Sequence, residues 1–277
     1  MNMSLLQGLV MGFVSGFAEL LPISAEAHRS LLLTFFGLKE DAVFCLIIHL
    51  SCLLAVVWGN RDEILKLRRT SHLMKVPPKR RRHQPDMPTV YTVRLLRISL
   101  VFLILPKLFT MQLGFIQSSL NILAFTLILN GIVLLIPSLV RNGNKDSRNM
   151  PRMDGVLMGL CAGLSVIPGI SQVGAAVSAG IARGVERFYA LRFAYILMIP
   201  GLIIRLVFDL IAIIAGGAAA FSFGGLIVCV AGAVAAHIGC RIAMRFIRFL
   251  AFSQGYSSFA YYCWGAGLLC FILFLTV

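Results

Sequence analysis

The sequence predicts an all-α protein that crosses a membrane several times. Of its 277 residues, 59% are hydrophobic and only 13% are charged, and the mean hydropathy is +0.90. Soluble domains carry roughly 25% charged and about 45–50% apolar residues, so a soluble globular enzyme and a disordered chain are excluded. The net charge of +14 is typical of basic cytoplasmic loops beside anionic lipid, and in a chain this apolar it does not indicate a nucleic-acid partner.

Six apolar stretches are long enough to cross a hydrocarbon core of about 30 Å, which takes roughly 17–25 helical residues. They are 43–59, 98–117, 120–140, 193–215, 224–247 and 258–277. Two further apolar regions, 5–37 and 155–190, are interrupted near the middle by Pro, Gly and Ser residues. Irregular backbone survives at membrane depth only where protein or a wet cavity surrounds it. Each of these regions is therefore predicted to form a re-entrant helical hairpin.

Lysine and arginine residues set the predicted orientation. The loops 60–97 and 141–153 are strongly cationic, and the positive-inside rule places both in the cytoplasm. The first hairpin then enters from the outer face and the second from the inner face. Because three spans follow each hairpin, residues 1–277 are predicted to form one integral membrane domain with two inverted halves, 1–140 and 141–277.

Polar residues are concentrated in the two interrupted regions, which should meet near the membrane midplane. Ionisable groups at that depth are costly and usually functional. In the second region, a Pro-Gly-x-Ser turn precedes a helix of small residues, whose backbone N–H groups can bind an anion. The candidate site residues are Glu19, Ser24, Glu26, His28 and Arg29 in the first region, and Gly169, Ser171, Gln172 and Gly174 in the second.

The two motifs resemble those of the bacterial undecaprenyl pyrophosphate phosphatases, the bacitracin-resistance family. The family pattern E-G-x-T-E-F-L-P-x-S-S-T-G-H aligns with S-G-F-A-E-L-L-P-I-S-A-E-A-H, from Ser15 to His28, and P-G-x-S-R-S-G-x-T aligns with P-G-I-S-Q-V-G-A-A, from Pro168 to Ala176. The resemblance covers nearly the whole chain. It implies the same inverted-repeat fold in the bacterial inner membrane, and a hydrolase that recycles the lipid carrier of peptidoglycan and other envelope polymers.

Several motif positions differ from the family pattern. Ser15 replaces the first Glu of an acidic pair, Ala25 replaces the second Ser, Gln172 replaces an Arg, and Cys263 replaces a late Arg. Pyrophosphate cleavage needs positive charge near the equatorial oxygens, usually from Arg and a metal ion. Losing such an arginine can reduce the rate by ~10³–10⁵. The sequence therefore leaves the activity of this chain open.

Two charged residues that the family pattern lacks offer a replacement. Arg29 can restore the positive charge and Glu26 the second carboxylate, or the two can pair with each other on one helical turn. Inside a predicted span, Arg205 and Asp209 are spaced i,i+4 and are expected to neutralise each other. His49 is expected to make a helix–helix contact.

Two functions remain after these observations. In a lipid pyrophosphate phosphatase, the resemblance implies that Ser24 or Ser171 anchors a phosphate, His28 transfers a proton and Glu19 binds Mg²⁺ or Ca²⁺. The alternative is a non-hydrolytic transporter or flippase of undecaprenyl phosphate or a similar amphiphilic anion, which needs no metal. Both functions imply a polyprenyl phosphate or pyrophosphate lipid and anionic membrane lipids as partners, without nucleic acid, and leave a homodimer open. The substrate-binding residues implied are Gly169, Ser171, Gln172, Gly174, Glu26 and Arg29.

Overall fold

The computed structural model describes residues 3–80, 83–113, 119–141, 143–215, 223–252 and 255–276. These residues are mostly helical, and within them the only β-type pairing is a single bridge between Lys145 and Val185. The helices are α1 (Leu5–Leu20), α2 (Ala25–Phe36), α3 (Ala42–Gly59), α4 (Arg61–Lys75), α5 (Met87–Leu113), α6 (Leu120–Leu139), α7 (Arg152–Gly163), α8 (Gln172–Ala182), α9 (Arg187–Ala215), α10 (Phe223–Phe252) and α11 (Ser258–Thr276).

Six of these helices, α3, α5, α6, α9, α10 and α11, are long and apolar enough to cross a membrane. The predicted all-α polytopic fold with six spans is thereby confirmed. The predicted boundaries are close to the observed ones, except that α5 begins at Met87 rather than at residue 98 and α9 begins at Arg187 rather than at residue 193. Residues 114–117 and 277 of the predicted spans lie outside the described residues.

The predicted loop 60–97 contains a helix that the hydropathy pattern did not indicate. Helix α4 is polar, with Asp62 and Glu63 in its first turn and His72 and Lys75 in its last turn. Acidic groups at the N-terminus and basic groups at the C-terminus both interact favourably with the helix dipole. A search for long apolar stretches cannot find such a helix, because most of its residues are polar and only one face, which includes Leu67, is buried.

Both interrupted regions contain two short helices separated by a break. Helix α1 ends at Leu20 because the next residue, Leu21, precedes Pro22 and has an extended backbone. In the second region, a 3₁₀ turn follows α7 and the chain turns at Gly169, whose φ is +94°. The position of these helix pairs relative to the two faces of a membrane stays a prediction.

The first helix of each pair packs along a long helix from the other half of the chain. Helix α1 packs against α10 and α7 against α5, while α3 packs against α9 and α6 against α11. A Cβ atom on Gly12 would lie 2.2 Å from the Gly232 carbonyl oxygen, and one on Gly159 would lie 2.2 Å from the Ser99 carbonyl oxygen. Small residues allow this close approach of helices in a membrane. The crossed pairing brings both breaks to the centre of the protein.

Candidate functional site

The two breaks are in direct contact, and Asn130 of α6 links them. Its buried side chain donates from Nδ2 to the Pro22 carbonyl oxygen at 3.0 Å, and its Oδ1 accepts from the Ser171 backbone N–H at 3.0 Å. The Ser171 hydroxyl in turn donates to the Leu21 carbonyl oxygen at 3.1 Å. A Cβ atom on Gly174 would lie 3.0 Å from the Pro22 Cβ. The structure therefore brings the two motif loops together.

A serine forms the N-cap of the second helix in each pair. Ser24 Oγ accepts from the Ala27 N–H at 3.4 Å at the start of α2, and Ser171 Oγ accepts from the Gly174 N–H at 3.2 Å at the start of α8. Such N-termini present backbone N–H groups and a partial positive charge. Among the described residues, Ser24 is the only non-glycine with a positive φ, 59°. Strained residues of this kind cluster at functional sites.

The position of residue 169 requires glycine for steric reasons, not for a chemical role of its own. A Cβ atom at this position would lie 2.0 Å from Thr126 Oγ1, and its φ of +94° is unfavourable for any residue with a side chain. Gly169 therefore sets the shape of the loop that leads to Ser171.

His28 lies one turn into α2 and is oriented by two hydrogen bonds. Because a carbonyl oxygen can only accept, His28 Nδ1 donates to the Ser24 carbonyl oxygen at 2.8 Å. In the neutral ring this leaves Nε2 to accept from the Tyr262 hydroxyl at 2.7 Å. The two rings also stack, with centroids 5.5 Å apart. His28 is thus arranged to exchange a proton at Nε2.

Glu19, at the end of α1, faces Arg205 of α9. Glu19 Oε2 lies 3.5 Å from Arg205 Nη1, with side chains that are 7% and 17% exposed. The expected pairing of Arg205 with Asp209 is wrong, because Asp209 Oδ2 instead contacts His49 Nδ1 at 2.6 Å. The two residues stand on successive turns of α9 but meet different helices, α1 and α3, and tertiary packing overrides the i,i+4 spacing.

Arg29 belongs to a second polar group. Its Nε donates to Glu40 Oε1 at 3.1 Å, and its Nη1 lies 3.3 Å from His49 Nε2. Since His49 Nδ1 contacts Asp209, the four side chains form a continuous chain. Arg29 also interacts electrostatically with Glu26 and Glu19, but its hydrogen bonds go to Glu40 and His49.

Lys107 is a buried cation beside the second motif loop that sequence reasoning missed. It lies on α5 with only 2% of its surface exposed, and its Nζ donates to Ser165 Oγ at 3.4 Å. It interacts electrostatically with Arg205, Glu19 and Glu26. The sequence contained the information needed to find it, because Lys107 is the only charged residue in the predicted span 98–117. An ionisable group inside a span is a candidate functional residue.

Gln172, which occupies the position of the motif arginine, is tied to α9. Its Nε2 donates to the Leu197 carbonyl oxygen at 3.1 Å. Its amide also fills the space beside Gly201, where a Cβ atom would lie 2.3 Å from Gln172 Oε1. Leu197, Gly201 and Arg205 follow one another at intervals of four residues, so they share one face of α9.

The donor set around Glu19 does not fit Mg²⁺ or Ca²⁺. Within the described ranges, no three His, Cys, Asp or Glu side chains are grouped closely enough to hold a metal ion. Hard divalent cations need several oxygen ligands, whereas the Glu19 carboxylate faces a guanidinium. Ser15, one turn before Glu19, supplies a buried hydroxyl with no hydrogen-bond partner in the described part of the chain. It is a poor substitute for a carboxylate ligand.

These features define a class: an all-α polytopic membrane protein in which two broken-helix loops meet beside buried charges. Residues 8–269 match the family model described as bacitracin resistance protein BacA. The chain is 27% identical over 282 residues to an undecaprenyl-diphosphatase of Methanobrevibacter smithii, covering 99% of each. It is 29% identical over 272 residues to one of Carboxydothermus hydrogenoformans, covering 98% of each, and 32% identical over 206 residues to one of a Nocardioides species, covering 74% of each. The chain belongs to the bacitracin resistance protein BacA family.

Proposed function

We propose that the protein is an undecaprenyl-diphosphate phosphatase, which converts undecaprenyl pyrophosphate to the monophosphate for reuse in envelope synthesis. Membership of the family over residues 8–269 supports this function, as do the names of relatives that align over nearly their full length. The observation that carries the proposal is the contact between the two motif loops, because a serine-capped helix follows each loop directly.

The proposed reaction is attack of water on the terminal phosphorus, with cleavage of its bond to the bridging oxygen. The N–H groups at the starts of α2 and α8 suit the pyrophosphate oxygens. In the proposed roles, the Ser24 and Ser171 hydroxyls bind phosphate oxygens, and each hydroxyl oxygen is held at its helix start by a backbone N–H, that of Ala27 for Ser24 and that of Gly174 for Ser171. His28 exchanges a proton at Nε2, where Tyr262 is its hydrogen-bond partner. Positive charge on fixed groups at such a site stabilises the transition state.

We also propose that the two halves, 1–140 and 141–277, are inverted repeats, with the loops 60–97 and 141–153 in the cytoplasm of a bacterial cell. The crossed packing of α1 on α10 and of α7 on α5 supports the repeat. The cationic composition of the two loops supports their orientation, and it suits a surface in contact with anionic lipids.

Phosphate release from undecaprenyl pyrophosphate tests the proposed activity. Purified wild type, Ser24→Ala and Ser138→Ala would be compared with Mg²⁺, with Ca²⁺ and with EDTA. Ser138 is a matched control, because it is exposed on α6 and bonds only to its own helix at the Leu135 carbonyl. Release by wild type and Ser138→Ala, with loss in Ser24→Ala, is expected. Lipid that binds wild type and stays uncleaved would refute the phosphatase and favour a non-hydrolytic carrier.

A further inference from the structure

Two cations on membrane-spanning helices, the buried Lys107 and the partly buried Arg205, interact with Glu19 although neither belongs to the two motifs aligned above. Lys107 on α5 is 2% exposed, and the Arg205 side chain on α9 is 17% exposed. The arginines of the basic loops are different, since Arg68 and Arg97 are exposed. A charge inside a membrane protein is unfavourable unless it has a partner or a function. The two cations therefore require an explanation in terms of what they face.

Arg205 is close to the position that lacks the motif arginine. Gln172 packs over Gly201 and bonds to the Leu197 carbonyl, and Arg205 is the next residue on the same face of α9. Four residues of helix correspond to a rise of about 6 Å. Because side chains lean towards the helix N-terminus, an Arg205 side chain can reach back towards Gln172; in the structure its Nη1 lies 3.5 Å from Glu19 Oε2.

Arg205 is only loosely paired with Glu19. Lys107 interacts electrostatically with Arg205, Glu19 and Glu26, and the buried Arg29 interacts with the same two carboxylates. The Arg205–Glu19 contact is a single approach at 3.5 Å, longer than the 2.7–2.9 Å typical of a charge-assisted hydrogen bond. A guanidinium carries five N–H donors, so an incoming phosphate can bind Arg205 without first breaking a strong ion pair.

We propose that Arg205 and Lys107 bind the pyrophosphate head group, and that Arg205 supplies from α9 the positive charge that position 172 lacks. This inference rests on the proposed function, since it names the groups that hold the same substrate. In this arrangement the two fixed cations neutralise the phosphate charge that a divalent ion would otherwise neutralise. A site of this kind needs no metal ion, in agreement with the poor fit of the residues around Glu19 to one.

The test removes each positive charge in turn, and in one variant moves it to position 172, and it measures lipid binding and phosphate release. Arg205→Gln and Lys107→Met are each expected to weaken binding of undecaprenyl pyrophosphate, measured by native mass spectrometry, about 10- to 100-fold. Arg192→Gln is the matched control, because Arg192 lies on the same helix and pairs with Glu63 at the surface; it should bind as wild type does. The double variant Arg205→Gln, Gln172→Arg should bind at least tenfold more tightly than Arg205→Gln alone.

A merely structural role for Arg205 gives a different result. In that case Arg205→Gln lowers the unfolding temperature while lipid binding stays as in wild type, and this outcome would overturn the inference. If Arg205→Gln does not fold, Arg205→Lys can be tested instead, because it keeps the positive charge. Arg205→Lys should retain most of the binding. Loss of binding in a folded Arg205→Lys protein would count against the inference. Phosphate release should also be unaffected by EDTA, and release that requires a divalent ion would contradict the charge replacement.

The same assays separate this inference from the proposed function. Wild type that binds the lipid through Arg205 but releases no phosphate would refute the phosphatase and leave the binding site standing. If the Arg205→Gln and Lys107→Met variants instead release phosphate as well as wild type does, the phosphatase activity stands and the assignment of Arg205 and Lys107 is overturned.

Discussion

Asn130 is the residue whose removal should separate the two motif loops. Its side chain is fully buried and bonds to the Pro22 carbonyl and to the Ser171 N–H, each at 3.0 Å. It also donates to Cys263 Sγ at 3.3 Å. Truncation to alanine would leave two buried backbone groups, the Pro22 carbonyl and the Ser171 N–H, without these partners.

The expected loss of stability follows from those two groups. A buried donor or acceptor left unpaired costs about 1–3 kcal/mol in soluble proteins, and hydrogen bonds between membrane helices measure about 0.6 kcal/mol on average, up to about 1.7. For the Pro22 carbonyl and the Ser171 N–H together, Asn130→Ala should lower the free energy of unfolding by about 2–4 kcal/mol. Phosphate release should fall as well, because the Ser24 and Ser171 caps would lose their fixed separation.

The assay is reversible unfolding of purified protein in detergent micelles, with phosphate release measured on the same preparations. Asn121→Ala is the matched control, since Asn121 lies on the same helix and is exposed near its N-terminus. It should lose about 1 kcal/mol or less, as for loss of a helix cap. Equal stability and equal activity of the Asn130 and Asn121 variants would refute the bridging role of Asn130.

Three further predictions test other parts of the structure. Asp154→Asn should lower stability by about 1–3 kcal/mol in thermal unfolding, because the fully buried Asp154 pairs with Lys145 at 3.0 Å; unchanged stability would contradict this pairing. Gly201→Ala should displace the Gln172 amide and reduce phosphate release. Adding Gln172→Ala to the same chain should relieve the clash, whereas a fully active Gly201→Ala protein would show that this packing is unimportant. In a chain otherwise free of cysteine, His83→Cys should react with a membrane-impermeant thiol reagent only after cell lysis, and reaction in intact spheroplasts would overturn the orientation.

Composition and local breaks were enough to predict the architecture. The six spans follow from hydropathy, and the two helix breaks follow from Pro22 and Pro168 with the serine caps after them. These features are local: a run of apolar residues, a proline and a capping hydroxyl act within a few positions of the chain. For the same reason α4 was missed, since charges at its ends stabilise it and its hydropathy is low.

The partners of buried charges could not be predicted in the same way. Arg205 and Asp209 have the spacing of an intrahelical pair, yet they contact Glu19 and His49 on different helices. The closest partner of a charge inside a bundle is set by how the helices pack, and one helix seen alone does not contain that information. Lys107 lies outside both motifs, and only the packing of α5 against the second helix pair brings it to Ser165.

The lipid product formed by the wild-type protein tests the proposed activity most directly. Purified protein would be incubated with undecaprenyl pyrophosphate in the presence of EDTA, and both the lipid and the released phosphate would be analysed. We expect undecaprenyl monophosphate and one inorganic phosphate per lipid consumed, with loss of both products in Ser24→Ala and in Arg205→Gln. Recovery of intact undecaprenyl pyrophosphate from protein that has bound it would contradict the proposed activity.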